Sequence, residues 1–228
     1  MNNINQRFKK LKSKKFLSYF WPIKYKLNTS FNHNLTFYWV DGKPLIDTPN
    51  TNMSFGLLQK VLEFGLEQIS PFSANNVLLL GLGGGSILEA LRNKHNIKGP
   101  VTAVDYDTEL INFSVEVLNI KRYNPLRIFI KDAFDFLKNC NDQFDLIIMD
   151  IFDDLIVPEK FYSTEFCLYL DKHLLKNGYL IYNLGISLKP KGLHKQTVDF
   201  FENNKNYQCR YFAKVCEYNQ MLIAKKLF

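Results

Sequence analysis

Four aspartates that can bind a ligand or transfer a proton each stand at or just after the end of a short apolar run. Asp105 ends the run VTAVD, Asp132 follows RIFIK, and the segment DIFDD, which contains Asp150 and Asp153, follows FDLIIM. Uninterrupted apolar runs of this length predict strands that are buried on both faces. Because ligands of open α/β sheets bind outside the carboxyl ends of the strands, the spacing predicts one site at which these acids lie together.

A glycine-rich segment, GLGGGS from Gly81 to Ser86, follows the apolar run VLLL and precedes a segment of helical periodicity. Glycines let a backbone approach a ligand closely, and a helix N-terminus presents free N–H groups to polar or anionic atoms. We therefore predict that Gly81, Gly83 and Gly85 contact a ligand, although Ser86 replaces the third glycine of the GxGxxG pattern. Ser86 and Glu89 form an SxxE pattern, which predicts a capping box.

Two of the aspartates suit the recognition of a nucleoside. Asp105 follows the glycine-rich segment by 20 residues, where a carboxylate can accept both ribose hydroxyls. The alternative role for Asp105 is to cap a helix, but Asp107 is better placed for that role. We also include Tyr106 among the residues predicted to contact the ligand. Asp132 is placed to face an adenine amino group, with the Ala133 N–H reaching a ring nitrogen. The alternative for Asp132 is an N-cap of the following helix, and a carboxylate has lone pairs enough for both roles.

The acids after the fourth predicted strand, Asp150, Asp153 and Asp154, form the predicted reaction centre. Asp150 can accept a proton from an attacking amine, or position that amine. The alternative is a structural acid at a strand end that caps a helix or pairs with a lysine. We take Asp150 and Asp153 as the candidate catalytic residues.

The histidines and cysteines predict neither a metal site nor a nucleophile. The four histidines share no metal-type spacing and the four cysteines form no CxxC pattern. We expect reduced, buried cysteines in a cytoplasmic protein, since neither a signal peptide nor an apolar run of about 18 residues is visible. These residues are His33, His95, His173, His194, Cys140, Cys167, Cys209 and Cys216.

The net charge of +7 is concentrated at the N-terminus. Residues 1–40 hold eight of the 29 basic residues and no acid, so the chain from Asp41 onward carries 21 basic and 22 acidic residues. Such an arm can anchor a protein to nucleic acid or anionic lipid. We favour the alternative, a solvated extension whose apolar residues pack on the body or on a partner subunit. Those residues are Phe8, Leu11, Phe16 and Phe20.

The acids are positioned by a regular alternation of strands and helices that begins at residue 77. Five apolar runs separated by helical patterns predict parallel strands in an α/β fold, a doubly wound, Rossmann-like sheet. The last two β-rich runs, 209–215 and 221–224, are joined by too short a connection for a parallel crossover, so they must be antiparallel. The predicted sheet therefore has seven strands. Before it, LTFYWV and the turn Asp41-Gly42 predict a small β-hairpin, followed by a helix over residues 55–69.

Residues from about 77 to 183 resemble the spermidine synthase family of aminopropyltransferases, which is built on the class I S-adenosylmethionine-dependent methyltransferase fold. The turn at Asp41-Gly42 is similar to one in the family's N-terminal β-domain, which helps to form dimers, so a homodimer is implied. We divide the chain into a basic arm (1–34), a β-hairpin and helix subdomain (35–70) and a methyltransferase-fold domain (71–228). The matching stretches are VLLLGLGGGSILEAL, VTAVDYDTELINFSVEVL, RIFIKDAFDFL, FDLIIMDIFDD and PEKFYSTEFCLYLDKHLLKNGYLIYN.

The resemblance implies roles for the strand-end acids. Asp105 matches the family's ribose-binding acid, and Asp132 with Ala133 matches its adenine-binding pair. Asp150 and Asp153 match the two aspartates of the family's DSSD motif, the first of which is the catalytic acid. The implied cofactor is S-adenosylmethionine or its decarboxylated form, with no metal.

The sequence departs from the family pattern where the amines bind. Gly84 stands where the family has an aspartate that holds the amine of decarboxylated S-adenosylmethionine. The segment from Lys43 to Phe55 replaces a glutamine, paired acids and a tyrosine that contact the polyamine, with Phe55 nearest the tyrosine. Because leaving a buried charge unpaired costs several kcal/mol, this loss of acids disfavours a cationic acceptor.

We therefore expect an S-adenosylmethionine-dependent transferase that moves a methyl rather than an aminopropyl group to a small-molecule acceptor, such as an amine. One alternative is a spermidine synthase that transfers the aminopropyl group of decarboxylated S-adenosylmethionine to putrescine, with a polyamine site built from Asp153, Asp154 and Asp47. Another is a non-catalytic nucleoside-binding or scaffold protein, against which the intact strand-end acids argue.

Overall fold

The computed structural model describes residues 2–31, 35–47, 52–54, 56–153, 156–186 and 192–228. Three residues of the sequence predictions, His33, Phe55 and Asp154, lie outside these ranges. Among the described residues, no helix has the length and apolar character needed to cross a bilayer.

A seven-stranded mixed sheet forms the centre of the fold, as predicted. The strands are β5 (Val77–Leu80), β6 (Val101–Asp105), β7 (Leu126–Ile130), β8 (Phe144–Met149), β9 (Leu174–Ile186), β10 (Tyr207–Val215) and β11 (Asn219–Lys226). Their order in the sheet is β10-β11-β9-β8-β5-β6-β7. The five strands from β9 to β7 are parallel to one another, and β11 pairs antiparallel with both β9 and β10.

The central strand β5 is buried on both faces, as its uninterrupted apolar sequence requires. Val77 and Leu79 point to one hydrophobic core, and Leu78 and Leu80 point to the other. The first core is shared with α2 (Leu57–Gln68), α3 (Ser86–Glu89) and α4 (Thr108–Glu116), and the second with α5 (Ala133–Asn139), α6 (Thr164–His173) and α7 (Leu193–Glu202). The fold is therefore a three-layer α/β sandwich.

The order of the strands reverses beside β5. From β5 the chain continues to β6 and β7 on one side, then crosses to β8 and β9 on the other. Such a reversal opens a crevice at the carboxyl ends of the two central strands, because their outgoing connections diverge. The crevice here lies where β5 ends at Leu80 and β8 ends at Met149, which pair in register.

The predicted hairpin belongs to a larger antiparallel sheet. β2 (Leu35–Val40) and β3 (Lys43–Asp47) join at Asp41-Gly42, both with positive φ, and β1 (Ile23–Leu27) and β4 (Asn52–Ser54) flank them. β1 lies within the stretch assigned to a basic arm. Its sequence, IKYKL, alternates between apolar and basic residues and its burial follows that alternation, but its two lysines were counted with the basic arm.

The described part of the arm before β1 also contains helical structure. Residues Asn2–Ser13 form α1, whose Phe8 and Leu11 are buried as predicted. The Phe8 ring lies 5.4 Å from that of Phe113 on α4. By contrast, Phe16 and Phe20, predicted to pack on the body or on a partner subunit, are exposed on this chain.

Three local predictions are wrong. Gly85, in a left-handed conformation, is the N-cap of α3 and makes no side-chain cap, so Ser86 and Glu89 form no capping box. The helix expected to end at Asn177-Gly178 ends at His173, because β9 begins at Leu174 and bulges against β8, with Asn177 at φ +63. All four cysteines are free, but only Cys167 is fully buried.

The aromatic cluster around Phe113 generates a stability prediction. Phe113 is fully buried, and its ring contacts those of Phe8, Tyr25 and Phe37, so it joins α4 to α1, β1 and β2. Phe113→Ala is expected to lower the free energy of unfolding by about 3–5 kcal/mol in urea titrations, because it leaves a cavity. Leu168→Ala, at an exposed position on α6, serves as control and should change it by less than about 0.5 kcal/mol. Equal effects of the two substitutions would contradict this description of the core.

Candidate functional site

A cavity of about 300 Å³ opens at the carboxyl ends of the central strands. Eight of the nine predicted site residues line it, so the structure brings together acids from the ends of three strands, β6, β7 and β8, as expected from the sequence. These eight are Gly81, Gly83, Asp105, Tyr106, Asp132, Ala133, Asp150 and Asp153. Gly85 does not line the cavity: a Cβ atom there would lie 2.8 Å from the Ile120 side chain, so this glycine is needed for packing and for its φ of +75.

Gly81 marks the closest approach of β5 to the loop after β8. Its φ is +90, and a Cβ atom at this position would lie 2.1 Å from the carbonyl oxygen of Asp150. No side chain fits in that space, so a glycine is required whether or not a ligand is bound. The first glycine of the loop therefore keeps the two central strand ends together at the floor of the cavity.

Asp105 holds the glycine-rich loop in place. Its Oδ2 accepts hydrogen bonds from the backbone N–H groups of Leu82 (2.9 Å) and Gly83 (2.8 Å), and its Oδ1 accepts one from Asp107 N–H (3.0 Å). Burial raises the pKa of Asp105, although these donors act in the opposite direction. Because a carboxylate has about four lone pairs, Oδ1 keeps capacity for a ligand hydroxyl.

Asp107 caps α4, as predicted. Its Oδ1 accepts a hydrogen bond from Leu110 N–H (2.9 Å), and its Oδ2 accepts one from the Thr29 hydroxyl (2.6 Å). The second bond ties the segment after β1 to the wall of the cavity. Phe31 of that segment lines the cavity with its ring 4.5 Å from the Tyr106 ring. Burial raises the pKa of Tyr106 to about 12, so its phenol remains a hydrogen-bond donor at neutral pH.

Asp132 serves as the N-cap of α5. Its Oδ1 accepts hydrogen bonds from Phe134 N–H (2.9 Å) and Asp135 N–H (3.4 Å), which confirms the capping alternative. Its Oδ2 lies 2.5 Å from the Lys160 ammonium group, which also lines the cavity. Lys160 was missed because, although its segment lies in a stretch that matches the family, the sequence does not show that the 3-10 helix Glu159–Tyr162 brings this lysine to Asp132.

Asp150 is paired with an amide rather than a cation. Its Oδ1 accepts a hydrogen bond from Asn183 Nδ2 (2.9 Å), and among the described residues it forms no salt bridge, so the alternative role, pairing with a lysine, is not observed there. Burial, with a smaller contribution from the charge of Asp105, raises the pKa of Asp150 to about 6. A carboxylate with a pKa this close to neutrality suits general-base chemistry.

Asn183, fully buried near the end of β9, orients Asp150. Its own Oδ1 accepts hydrogen bonds from Asn219 Nδ2 (3.1 Å) and from Gly185 N–H (3.2 Å), so its amide group has one orientation in which all partners are satisfied. In the sequence, Asn183 is visible as a polar residue inside the otherwise apolar run YLIYNLGI, but it was not among the predicted site residues.

Asp153 lies at the exposed rim of the cavity. Its backbone N–H and C=O pair with those of Ile156 at 2.8 and 3.0 Å, which turns the chain back at this point. Asp47, the other acid considered for a polyamine site, lies on β3 and does not line the cavity.

The cavity is rich in carboxyl groups. The five lining aspartates face two lysines, Lys131 and Lys160, which favours positively charged ligands. Within the described ranges, no three His, Cys, Asp or Glu side chains are grouped so as to hold a metal ion.

The sheet order defines a Rossmann-like fold with a cavity at its strand ends, and a family match gives the assignment. Residues 59–224 match the model of the spermine/spermidine synthase domain, which is well over half of the chain. The chain therefore belongs to the spermine/spermidine synthase domain family.

Curated relatives share part of their length with this chain. Polyamine aminopropyltransferase 2 of Aquifex aeolicus is 33% identical over 116 residues, which are 47% of this chain and 23% of that protein. Polyamine aminopropyltransferase of Pectobacterium carotovorum is 26% identical over 149 residues, 61% of this chain and 52% of that protein. The chain thus matches about half or less of the length of these relatives.

Solved structures show the same fold. Spermidine synthase from Thermotoga maritima superposes with a TM-score of 0.64 at 14% identity, over 90% of this chain and 72% of that chain. An O-methyltransferase from Bacillus cereus superposes with a TM-score of 0.57 at 15% identity, over 78% of this chain and 84% of that chain. At these identities the likeness concerns the fold alone.

The bond from Asn183 to Asp150 generates a pKa prediction. The asparagine stabilises the ionised carboxylate, so Asn183→Leu is expected to raise the pKa of Asp150 by about 1, since a hydrogen bond to a charged group contributes roughly 1.5–3 kcal/mol. Carbon-13 NMR of labelled aspartate side chains measures this titration. Asn139→Leu, at an exposed position on α5, is the control and should leave the titration midpoint unchanged. A lower pKa in Asn183→Leu would contradict the assigned bond.

Proposed function

We propose that the cavity binds decarboxylated S-adenosylmethionine and that the protein transfers its aminopropyl group to a small amine. The observation that carries the proposal is Asp150, a carboxylate with a raised pKa that faces an acidic cavity in a chain of the spermine/spermidine synthase domain family. The names of the curated relatives support aminopropyl transfer.

The donor side of the cavity suits a nucleoside. Asp105 Oδ1 keeps a free acceptor position for a ribose hydroxyl, and Asp132 with the Ala133 N–H offers an acceptor and a donor to the edge of adenine. Lys160 already pairs with Asp132, so an adenine amino group shares Oδ2 with this ammonium group. Gly81 and Gly83 let the backbone approach the ligand, and the Tyr106 phenol supplies a further donor.

The transfer step needs one group from the protein. A neutral amine attacks the methylene carbon next to the sulfonium, the new C–N bond forms as the C–S bond breaks, and the electron pair of that bond neutralises the sulfur. Asp150 accepts the proton that the amine loses, and Asn183 keeps its carboxylate in position for this transfer. Asp153 at the rim offers a second negative charge to a cationic acceptor.

The preference for methyl transfer, drawn from the sequence, is not supported. It relied on Gly84 and on the loss of acids after the hairpin, whereas the names of the curated relatives favour aminopropyl transfer and five aspartates still line the cavity. The methyltransferase neighbours share the fold only. Methyl transfer is retained as an outcome of the binding test.

Discrimination between donors tests the proposal directly. S-adenosylmethionine carries a carboxylate that its decarboxylated form lacks, and this charge is repelled by the aspartates of the cavity. Calorimetric titration is expected to show at least about tenfold tighter binding of the decarboxylated form, equivalent to about 1.4 kcal/mol. Tighter binding of S-adenosylmethionine would favour methyl transfer, and binding of neither compound would leave a scaffold protein.

Asp150→Asn separates chemistry from binding. The substitution keeps the shape but removes the proton acceptor, so turnover with decarboxylated S-adenosylmethionine and putrescine is expected to fall about 10²–10⁴-fold. Affinity for neutral methylthioadenosine should change less than about threefold, because no contact to it requires this charge. Asp142→Asn, whose carboxylate pairs with Arg127, is the matched control and should keep full turnover. Full turnover in Asp150→Asn would show that the reaction does not use this acid.

Asp105→Ala tests the nucleoside site. The affinity for methylthioadenosine is expected to fall by about 2–4 kcal/mol, or about 30- to 1000-fold, since the ribose contact and the anchor of the glycine-rich loop are lost together. Because three backbone N–H groups lose their acceptor, the variant should also be less stable in urea titrations. Unchanged affinity in a folded variant would rule out this assignment.

A further inference from the structure

Five apolar side chains project from one short segment before β1 and form an exposed cluster, which we call the aromatic patch. Their exposed fractions range from 41% for Leu17 to 69% for Phe16. The rings contact one another at centroid distances of 6.0 to 6.4 Å, so they form one continuous apolar surface. The patch consists of Phe16, Leu17, Tyr19, Phe20 and Trp21.

The segment that carries the patch is held firmly to the hairpin turn. Between its exposed neighbours, Ser18 is buried, and its hydroxyl accepts a hydrogen bond from Gly42 N–H (2.9 Å). The Ser18 carbonyl accepts a second bond from Asp41 N–H (3.1 Å). The backbone of the patch is therefore fixed while its apolar side chains remain exposed to water, which is unfavourable unless a partner covers them.

Six cations precede the patch in the sequence. On α1, Phe8 and Leu11 are buried, whereas four basic side chains are exposed; two further lysines begin the 3-10 helix Lys14–Tyr19, which carries part of the patch. Within the described part of the chain, none of the six cations forms a salt bridge with a carboxylate. The six are Arg7, Lys9, Lys10, Lys12, Lys14 and Lys15.

We propose that the aromatic patch and the basic face of α1 together bind the surface of an anionic phospholipid bilayer. Aromatic side chains are favoured at the level of the lipid headgroups, and nearby lysines are attracted to anionic lipids. The combination of exposed Trp, Phe and Leu with a basic helix face and no acid is the signature of a surface-bound segment. This inference does not depend on the proposed function.

Two other occupants fit the same surface less well. In a symmetric dimer the patch of one subunit packs against the same patch of the other, which also brings together the six cations of each subunit. Single-stranded nucleic acid stacks its bases on aligned ring faces, whereas neighbouring rings of the patch are inclined to one another at 54 to 69° and the patch also exposes Leu17, which has no ring. The lipid surface satisfies both the apolar and the cationic parts.

The test uses Trp21 as a reporter. The chain has two tryptophans, and Trp39 is buried, so Trp39→Phe leaves only the exposed indole of the patch. Vesicles of equimolar phosphatidylglycerol and phosphatidylcholine are expected to shift its emission to the blue, and vesicles of phosphatidylcholine alone are not. Cosedimentation of the unsubstituted chain with the same vesicles provides a second measurement that does not depend on the Trp39 substitution.

Substitutions separate the two parts of the surface. Combined Lys9→Glu, Lys10→Glu and Lys12→Glu should weaken vesicle binding by about fivefold or more for each lysine, since each contributes about 1 kcal/mol near an anionic surface. Combined Phe16→Ser and Phe20→Ser should weaken it at least about tenfold, with an unchanged circular dichroism spectrum because both side chains are exposed. The control, Phe228→Ser with Lys205→Glu, alters an exposed ring and an exposed cation elsewhere and should bind normally.

Three results would overturn the proposal. The first is absence of binding to the anionic vesicles at low salt. The second is concentration-dependent self-association in sedimentation velocity that the Phe16→Ser and Phe20→Ser variant abolishes, which would assign the patch to a second copy. The third is tighter binding to a polyuridine oligonucleotide than to the vesicles, lost in the lysine variant, which would assign the surface to nucleic acid.

Discussion

The backbone of Gly81 passes so close to the carbonyl of Asp150 that no other residue fits there, and the geometry of the cavity follows from this contact. Gly81 N–H donates to Val104 C=O (2.9 Å), and Asp150 N–H donates to Leu80 C=O (2.8 Å), so the ends of β5, β6 and β8 are held side by side. The strand-end acids converge because these three backbones do.

Neutral donors hold the acids of the cavity, with one exception. Asp105 is held by backbone N–H groups and Asp150 by the Asn183 amide, while Asp132 is paired with the Lys160 ammonium group. The negative charge of Asp105 and Asp150 therefore remains available to a cationic ligand. Burial of these two groups raises their pKa values. For Asp150, repulsion by the charge of Asp105 contributes to the increase.

The parallel strands were predictable from the sequence because burial on both faces leaves an uninterrupted apolar run. β5 and β8 begin and end at the predicted residues, and the strand-end position of Asp150 follows from the end of β8. Asp105 and Asp132 take the corresponding positions at the ends of β6 and β7. The early end of α6 was not predictable, because it depends on the bulge of β9 against β8. β1 carries a visible alternation of apolar and basic residues, which the interpretation of its lysines as part of a basic arm obscured.

Two residues that line the cavity were missed for a similar reason. Phe31 and Lys160 reach the cavity from segments between the strands, so their positions depend on tertiary contacts rather than on a local pattern. Asn183 differs, because a polar residue within an apolar strand is a visible signal. A buried amide needs partners, and the nearest acid at that edge of the sheet is Asp150.

One wall of the cavity is contributed by chain that precedes the family match. Thr29 and Ser30 donate hydrogen bonds to Asp107 (2.6 Å) and Glu109 (2.8 Å) on the cap and first turn of α4, and Phe31 leans on Tyr106, whereas the matched region starts at residue 59. The strand-end acids thus lie within the family match, and the segment that packs beside them lies outside it. Changes in this N-terminal segment can reshape the wall of the cavity while the strand-end acids stay intact, so the space offered to an acceptor can vary independently of the acids.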